Sequence, residues 1–454
     1  MENITKTQTT TDGRKIILKP KNKFEELLWI WDYVFDKFSH KNENVGRICF
    51  YVFISQYFQD LIKMRIGVEV RPIQISSLIF RPSRSGKGQA LKVVKLFCEK
   101  SGLSFEQSNE LTSASLIGSF DYEKYGALLK ALHRNPSEED LERIKNECSV
   151  KGILYGDRGI VAFPEIHDVL SNVRVVNHLQ TATDSYPFVD KDLKSERIHY
   201  EVNKSIIGTS IFLDELKDII LRKGLIQRML IHMSDVPIQE REEINRRLID
   251  DLWAVEDTTK VDFYVNYFVR EIEAIRKRTK EKIFEISKVH KQKIRTLLLS
   301  KTKTVINFIT ENYSGEEYKL ATTWSTSIID LFFKCAVVSA ILNENETINY
   351  WDFFDTIEIV IKNIENVLYH MFPKIFKYKE NSIKYKILNI LKQKPLSKSE
   401  LLETLRTKKI VSSPNKYKRI IDNLLESNYI KIRKEETKEA KRPKEFLILC
   451  NDLF

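Results

Sequence analysis

No run of about 18 uninterrupted apolar residues occurs in this 454-residue chain, and no basic, apolar, small-residue leader opens it. Neither a membrane span nor a secretory signal is expected, and the protein is expected to stay inside the cell, in the cytoplasm or nucleoid. Cysteine is scarce. The five residues, Cys49, Cys98, Cys148, Cys335 and Cys450, are scattered through apolar or helical contexts with no C-x-x-C pair. That pattern excludes a disulfide framework and a cysteine zinc site, and leaves reduced thiols. Residues 1–14 lack hydrophobic periodicity and are rich in Thr, the composition of a disordered start.

What the chain has is basic charge and enough apolar residues for real cores. Lys and Arg outnumber Asp and Glu by 74 to 63, a net charge of +11 with a pI near 9.1. Such a balance favours an anionic partner, nucleic acid first and an acidic membrane surface second. A hydrophobic content of 42% over this length supports about two to four domains.

Two helical patterns come first within residues 15–72. "NKFEELLWIWDYVFDKF" places Leu27, Leu28, Trp31, Val34 and Phe35 on one face, and "VGRICFYVFISQYFQDLIKM" is apolar nearly all round. Both are expected to pack on the later core. From Ile73 the pattern becomes strand, loop, helix: "IQISSLIF", then "RPSRSGK", then "GQALKVVKLFCEKSG". A polar helix-like segment "NPSEEDLERIKNECS" precedes the apolar run "GIVAF", and a third run, "KSIIGT", leads into "FLDELKDIILRKGLIQRMLI". Strands alternating with helices over 73–239 point to a mainly parallel sheet covered on both faces. Residues 240–377 read as almost all helix, including the basic stretch "REIEAIRKRTKEKIFEISKVHKQKIRTLLL", whose alternatives are a face for nucleic acid and, the better reading, a solvated amphipathic helix with its apolar stripe on the core. Residues 378–454 read as three helices and a β-ribbon, with Ser397 and Glu400 spaced as a capping box. That order makes a winged helix. Its third helix would offer Lys416, Lys418 and Arg419 to a DNA groove and its wing Lys441 and Arg442 to phosphates, unless the module binds protein instead.

The loop "RPSRSGKG" is a partial match to the phosphate-binding pattern G-x-x-x-x-G-K-[ST]. In that pattern backbone N–H groups wrap the phosphates, the Lys reaches the β/γ oxygens and the hydroxyl holds Mg²⁺. Gly86 and Lys87 are present; Arg81 stands at the first glycine position and Gly88 at the hydroxyl position.

Further motifs follow in order. "GILYGDRGIVAFPEIHDVL", Gly152 to Leu170, resembles the strongest signature of the minichromosome maintenance (MCM) helicases: a glycine, an apolar pair, "AD-x-G", an apolar strand and "DE". "GTS" at Gly208 to Ser210 ends a strand where that family keeps its sensor 1 polar residue. "GLIQRML" is similar to its arginine-finger segment, and "IIDLFFKCAVVSAILNENETINYWDFFDTI" to a stretch of its helical lid. The resemblance runs from about Ile73 to the C-terminus. The long zinc-containing N-terminal domain of cellular MCM proteins has no room ahead of it, so the chain looks like a short, divergent AAA+ member, from a virus or another mobile element.

The resemblance implies an α/β fold: a P-loop AAA+ three-layer core with a parallel sheet, a helical lid and a C-terminal winged-helix domain. It implies ATP and Mg²⁺ as cofactors, DNA as partner, and a homo-oligomeric ring, a hexamer, with no membrane association. Lys87 would neutralise the β/γ phosphates, with backbone amides from Ser85, Gly86, Gly88 and Gln89 around it. Glu165 would orient or deprotonate the attacking water, Thr209 would hold that water, and Arg228 would reach the neighbouring subunit's site. Lys334 falls near the second-sensor region. Gly88 and Pro164 stand where the family keeps a hydroxyl and an Asp that serve Mg²⁺, and so remove oxygen ligands. An ATP-switched DNA-binding initiator or loader, and a defence or signalling ATPase whose winged helix contacts protein, are the alternative functions.

Overall fold

The computed structural model describes residues 6–372 apart from 10–14, 39–42, 84, 109–111, 133–135, 185–187, 193–196, 213–223, 235–241, 243, 247–257 and 313–314. Beyond these it describes 387, 390–391, 394–408, 417–418, 421–422, 425, 430–435 and 444–449. The chain divides into two units, 1–367 and 368–454.

The first unit is built on a five-stranded, all-parallel sheet. Its strands are β1 (Ser76–Phe80), β2 (Ser104–Gln107), β3 (Gly159–Phe163), β4 (Lys204–Ser210) and β5 (Met229–Met233), in the spatial order β5-β1-β4-β3-β2. Every residue of β1, β3, β4 and β5 is buried, which is why they read as continuous apolar runs rather than alternating ones. β2 is a half-exposed edge. The other edge, β5, is covered: the N–H of Ile231 donates to Asn363 Oδ1 on a late helix, so the open row of strand amides is blunted.

Two early helices fill one face of the sheet. The first, α1 (Lys23–Phe38), buries Leu27, Leu28, Trp31, Val34 and Phe35. The second, α2 (Glu43–Tyr57), touches β1, β3, β4 and β5, and a helix covered on all sides must be apolar all round. Gly46 lets α1 and α2 approach: a Cβ there would lie 2.9 Å from the Phe35 ring, and the Trp31 indole N–H donates to the Gly46 carbonyl at 2.8 Å. Trp31 also stacks on Phe97 of α3 (Lys87–Ser101), with ring centroids 4.3 Å apart. The N-terminal helices thus pack on the core, as their pattern predicts.

Four long helices follow the sheet: α4 (Thr258–Arg278), α5 (Lys291–Asn312), α6 (Gly315–Leu342) and α7 (Tyr350–Glu365). The basic stretch read as one helix is in fact interrupted. α4 stops at Arg278, Lys282–Phe284 pairs in parallel with Ile62–Ile66, and α5 starts only at Lys291. Ile62–Ile66 also lies outside the helix its sequence suggests. α2 ends at Tyr57, whose carbonyl accepts from Arg276 at 2.7 Å and from Arg158, and both guanidiniums also bond Asp60. With the last carbonyl taken by side chains, the chain turns into a hairpin with Glu69–Pro72.

One segment among the described residues, Tyr318–Leu342 of α6, is long and apolar enough to cross a membrane, and 78% of its most apolar window is buried within the protein. Asp330 and Lys334, 3.3 Å apart, interrupt the apolar run.

The second unit contains the helix Lys398–Thr407, capped as its sequence predicts. The Ser397 N–H donates to Glu400 Oε2 at 2.8 Å, and Ser397 Oγ accepts from the Glu400 N–H at 3.3 Å. An antiparallel ribbon pairs Ile430–Glu435 with Lys444–Leu449, and the Leu447 N–H donates to the Leu396 carbonyl at 2.8 Å, adding a short third segment. Ile387, Leu401, Leu405, Tyr417, Ile421, Ile430 and Leu447 form its core.

Candidate active site

The site forms where β1, β4 and β3 end side by side, the position at which open α/β sheets bind ligands. In register, Phe80 of β1 faces Ser210 of β4, and Phe163 of β3 faces Gly208. The loop after β1 and the turn after β3 therefore flank Thr209 and Ser210. The Arg81 N–H extends the ladder by donating to the Ser210 carbonyl at 3.0 Å.

Gly86 makes the turn into α3. It has φ 86° and ψ 4°, a left-handed conformation that costs glycine little, and α3 begins at the next residue, Lys87. The loop folds on itself: Ser85, buried, donates from Oγ to the Pro82 carbonyl at 2.7 Å, and Lys87 Nζ donates to the Arg81 carbonyl at 2.9 Å. Lys87 is itself buried. Burial lowers its pKa, the nearby Arg81 guanidinium lowers it further, and Glu165 opposes both. Lys87, Arg81 and Glu165 therefore act on one another electrostatically. Gly88 and Gln89 lie in the first turn of α3, where their amides point out of the helix start.

Glu165 opens the short helix Ile166–Ser171, half-exposed, with Oε2 3.4 Å from His167 Nδ1. His167 Nδ1 is also 2.9 Å from Ser210 Oγ, and its Nε2 is 3.2 Å from Asp168 Oδ1. This helix comes close because β4 has glycine beneath it: a Cβ on Gly208 would lie 2.3 Å from the Ile166 side chain. Thr209 is buried, and its hydroxyl donates to the Pro164 carbonyl at 2.7 Å. Its proton is thus spent on holding the peptide before Glu165.

The structure brings together Ser85, Gly86, Lys87, Gly88, Gln89, Glu165 and Thr209. It sets Arg228 apart. Met229 pairs with Ser76 and Met233 with Phe80, so Arg228 lies at the opposite end of the sheet, five residues or about 16 Å of strand from Met233. It follows the 3₁₀ turn Leu225–Gln227 rather than sitting within an amphipathic helix. Its guanidinium donates to the Gly224 carbonyl at 3.0 Å and to Asp184 Oδ2 at 3.0 Å.

His167, Asp168, Ser210 and Asp184 were not singled out in the sequence reading; the polar run "EIHD" directly after a buried strand was the available signal. Of the DNA candidates, Lys418 is helical and exposed. Lys416, Arg419, Lys441 and Arg442 lie outside the described residues. Among the described residues no group of three or more His, Cys, Asp or Glu is arranged to hold a metal ion. The chain matches no protein-family model and no curated protein.

Proposed function

We propose that the chain is an ATP-driven motor on DNA, an MCM-like AAA+ helicase or translocase that acts in replication of a virus or mobile element and works as a homo-oligomeric ring, a hexamer. The observation that carries this reading is the convergence of Lys87, Thr209 and Glu165 at the carboxyl ends of three adjacent strands, with Thr209 between the other two. A buried ammonium resting on a carbonyl at 2.9 Å, beside the start of a 15-residue helix, suits a polyphosphate. An arriving β/γ phosphate replaces the Arg81 carbonyl as its partner, and the amides of the first turn of α3 add their dipoles. Arg81 supplies a second positive charge at the position normally held by glycine.

Glu165 orients or deprotonates the attacking water, and Thr209 keeps it there by fixing the Pro164 carbonyl. Mg²⁺ fits less fully: Glu165 would hold it, while Gly88 and Pro164 offer no side-chain oxygen where the resembled family keeps a hydroxyl and an Asp. When bound, the ion neutralises phosphate charge. Arg228 acts on the neighbouring protomer's nucleotide after leaving Asp184. The second unit is read as a winged helix that contacts DNA through Lys418 and its neighbours.

A second reading, an ATP-switched DNA-binding initiator or loader, is favoured by Gly88 and Pro164, which weaken metal binding without touching phosphate binding. A forked duplex distinguishes the two. ATP-dependent strand displacement is expected for the motor; a footprint on one specific duplex without unwinding would favour the initiator.

A further inference from the structure

The region between α4 and the middle of α5 concentrates positive charge. Residues 276–303 contain eleven Lys and Arg against two acidic residues. Part of this charge serves the fold: Arg276 pairs with Asp60, Arg278 with Glu344 and Lys282 with Glu346. Lys288, Lys291, Lys293 and Arg295 are different. All four are exposed, and none forms an ion pair among the described residues. Nor do they serve their own helix, because cations in the first turns of α5 oppose its macrodipole.

An aromatic cluster adjoins the first of them, Lys288. The Ser287 N–H donates to the Ile348 carbonyl at 2.8 Å, and Ile286 bridges Ile348, so Lys288 lies next to the start of α7. There Tyr350, Trp351 and Phe354 stand together, with ring centroids 5.4 to 6.3 Å apart. Trp351 is 62% exposed and Phe354 48%. Phe353, one residue before Phe354, goes inward onto Phe333 at 5.2 Å, so the core is already supplied with an aromatic from this turn. Large flat rings left in water beside unpaired cations match the two elements of single-strand binding: faces on which bases stack, and charge that follows the phosphates.

We infer that Trp351 and Phe354, with Lys288, Lys291, Lys293 and Arg295, form a binding surface for single-stranded nucleic acid on the first unit. The inference deepens the DNA reading above and rests on it. A duplex keeps its bases stacked and offers these rings nothing, so the surface selects single strands. Stacking and phosphate contact are shared by DNA and RNA.

The test uses the full chain and fluorescence anisotropy with oligothymidylate and oligouridylate of about 20 nucleotides and a duplex of about the same length. Trp351→Ala/Phe354→Ala should weaken single-strand binding by about 5- to 150-fold for each base that loses its stacking partner, and leave duplex binding unchanged. Trp351→Phe should restore most of the loss and Trp351→Leu little of it. Lys288/Lys291/Lys293/Arg295→Gln should reduce the salt slope on the single strand by about 3, whereas Lys63/Lys92/Lys100/Lys130→Gln should not. Circular dichroism checks that each variant folds, and all substituted positions are exposed. Wild-type affinity and slope in both variants would overturn this surface and leave the DNA reading standing. A change in sedimentation with unchanged oligonucleotide binding would make the patch a subunit contact, overturning it too. Failure of the wild type to bind any oligonucleotide at about 50 mM salt would overturn the DNA reading itself, and this surface with it.

Discussion

Gly88→Ser restores the hydroxyl that the phosphate-loop pattern places after its lysine, and the structure states what the change should cost. Nothing lies within 4 Å of a Cβ built at Gly88, the backbone there is not left-handed, and the residue is the second of α3. The serine therefore enters without a clash. Replacing glycine by serine inside a helix gains about 0.3–0.5 kcal/mol of propensity, worth about 1–2 °C in the melting temperature of a unit this large. If Lys87 faces the phosphates, the new hydroxyl lies one residue further into the helix, within reach of a cation on the same phosphates. A polar contact to a charged group contributes about 1.5–3 kcal/mol, so Mg²⁺-dependent ATP turnover should rise about 10- to 100-fold, with less Mg²⁺ needed for half-maximal rate. The assay is phosphate release against Mg²⁺ concentration, beside thermal melting of the same samples. A lower melting temperature would refute the packing argument. A higher melting temperature with unchanged turnover and unchanged Mg²⁺ dependence would refute the alignment of Gly88 with the hydroxyl position.

Glu165→Gln and Arg228→Ala protomers should each lose about 10³-fold in hydrolysis, and mixing them should restore part of it, because some ring interfaces then pair an intact Glu165 with an intact neighbouring Arg228. Arg228→Ala breaks a half-exposed pair with Asp184 worth about 0–1 kcal/mol, so misfolding will not explain its loss; mixed samples that stay inactive would end the case for an arginine acting between subunits. Asp352 supplies a pH test of the packing between α6 and α7. It is buried at the start of α7, accepts hydrogen bonds from Asn345, Ser339 and the Asn349 N–H, and burial pushes its carboxyl up to about 6. A carboxyl raised from 3.8 in the folded state contributes stability that is fully present below the unfolded pKa and lost as pH rises through 6. The stability of the wild type relative to Asp352→Asn, from urea unfolding, should therefore fall by about 2–3 kcal/mol between pH 4 and pH 7; a difference independent of pH would contradict the buried carboxyl.

The parts of the fold that were legible in sequence are those whose physics is local or extreme. "SSLIF" and "GIVAF" are wholly buried parallel strands and show as unbroken apolar runs, and α2 reads as apolar all round because it lies across the sheet. β2 was missed: "SFEQ" is a half-exposed edge strand of four residues with no run to mark it. Lys282–Phe284 was hidden inside a basic amphipathic pattern, since its pairing with Ile62–Ile66 depends on residues far away in sequence. The pairing of Gly118–Phe120 with Ser149–Lys151 was missed for the same reason; the hairpin of Phe188–Asp192 with Arg197–Glu201 is local, but its link "LKSE" carries no Asn-Gly or Asp-Gly turn signal. "MLIHM" was not separated as a strand from the run "FLDELKDIILRKGLIQRMLI", because a short apolar run carries no period that separates buried strand from buried helix. At the site, Lys87 and Glu165 were legible because a phosphate loop and a carboxylate after a buried strand are sequence-local patterns. The donation from Thr209 to Pro164 and the bridge from His167 to Ser210 join segments about 45 residues apart, and only the register of β3 with β4 brings them together.

The central claim is that the turn between β1 and α3 binds the phosphates of ATP through Lys87, and calorimetric titration of Lys87→Ala with ATP, with and without Mg²⁺, tests it most directly. The lysine forms no ion pair among the described residues and donates to the Arg81 carbonyl, so its removal costs one hydrogen bond and the protein should still fold. A charge-assisted contact to phosphate is worth about 1.5–3 kcal/mol, so affinity should fall about 10- to 100-fold in both conditions. An ATP affinity equal to that of the wild type in a folded Lys87→Ala protein would contradict the phosphate site and every step built on it.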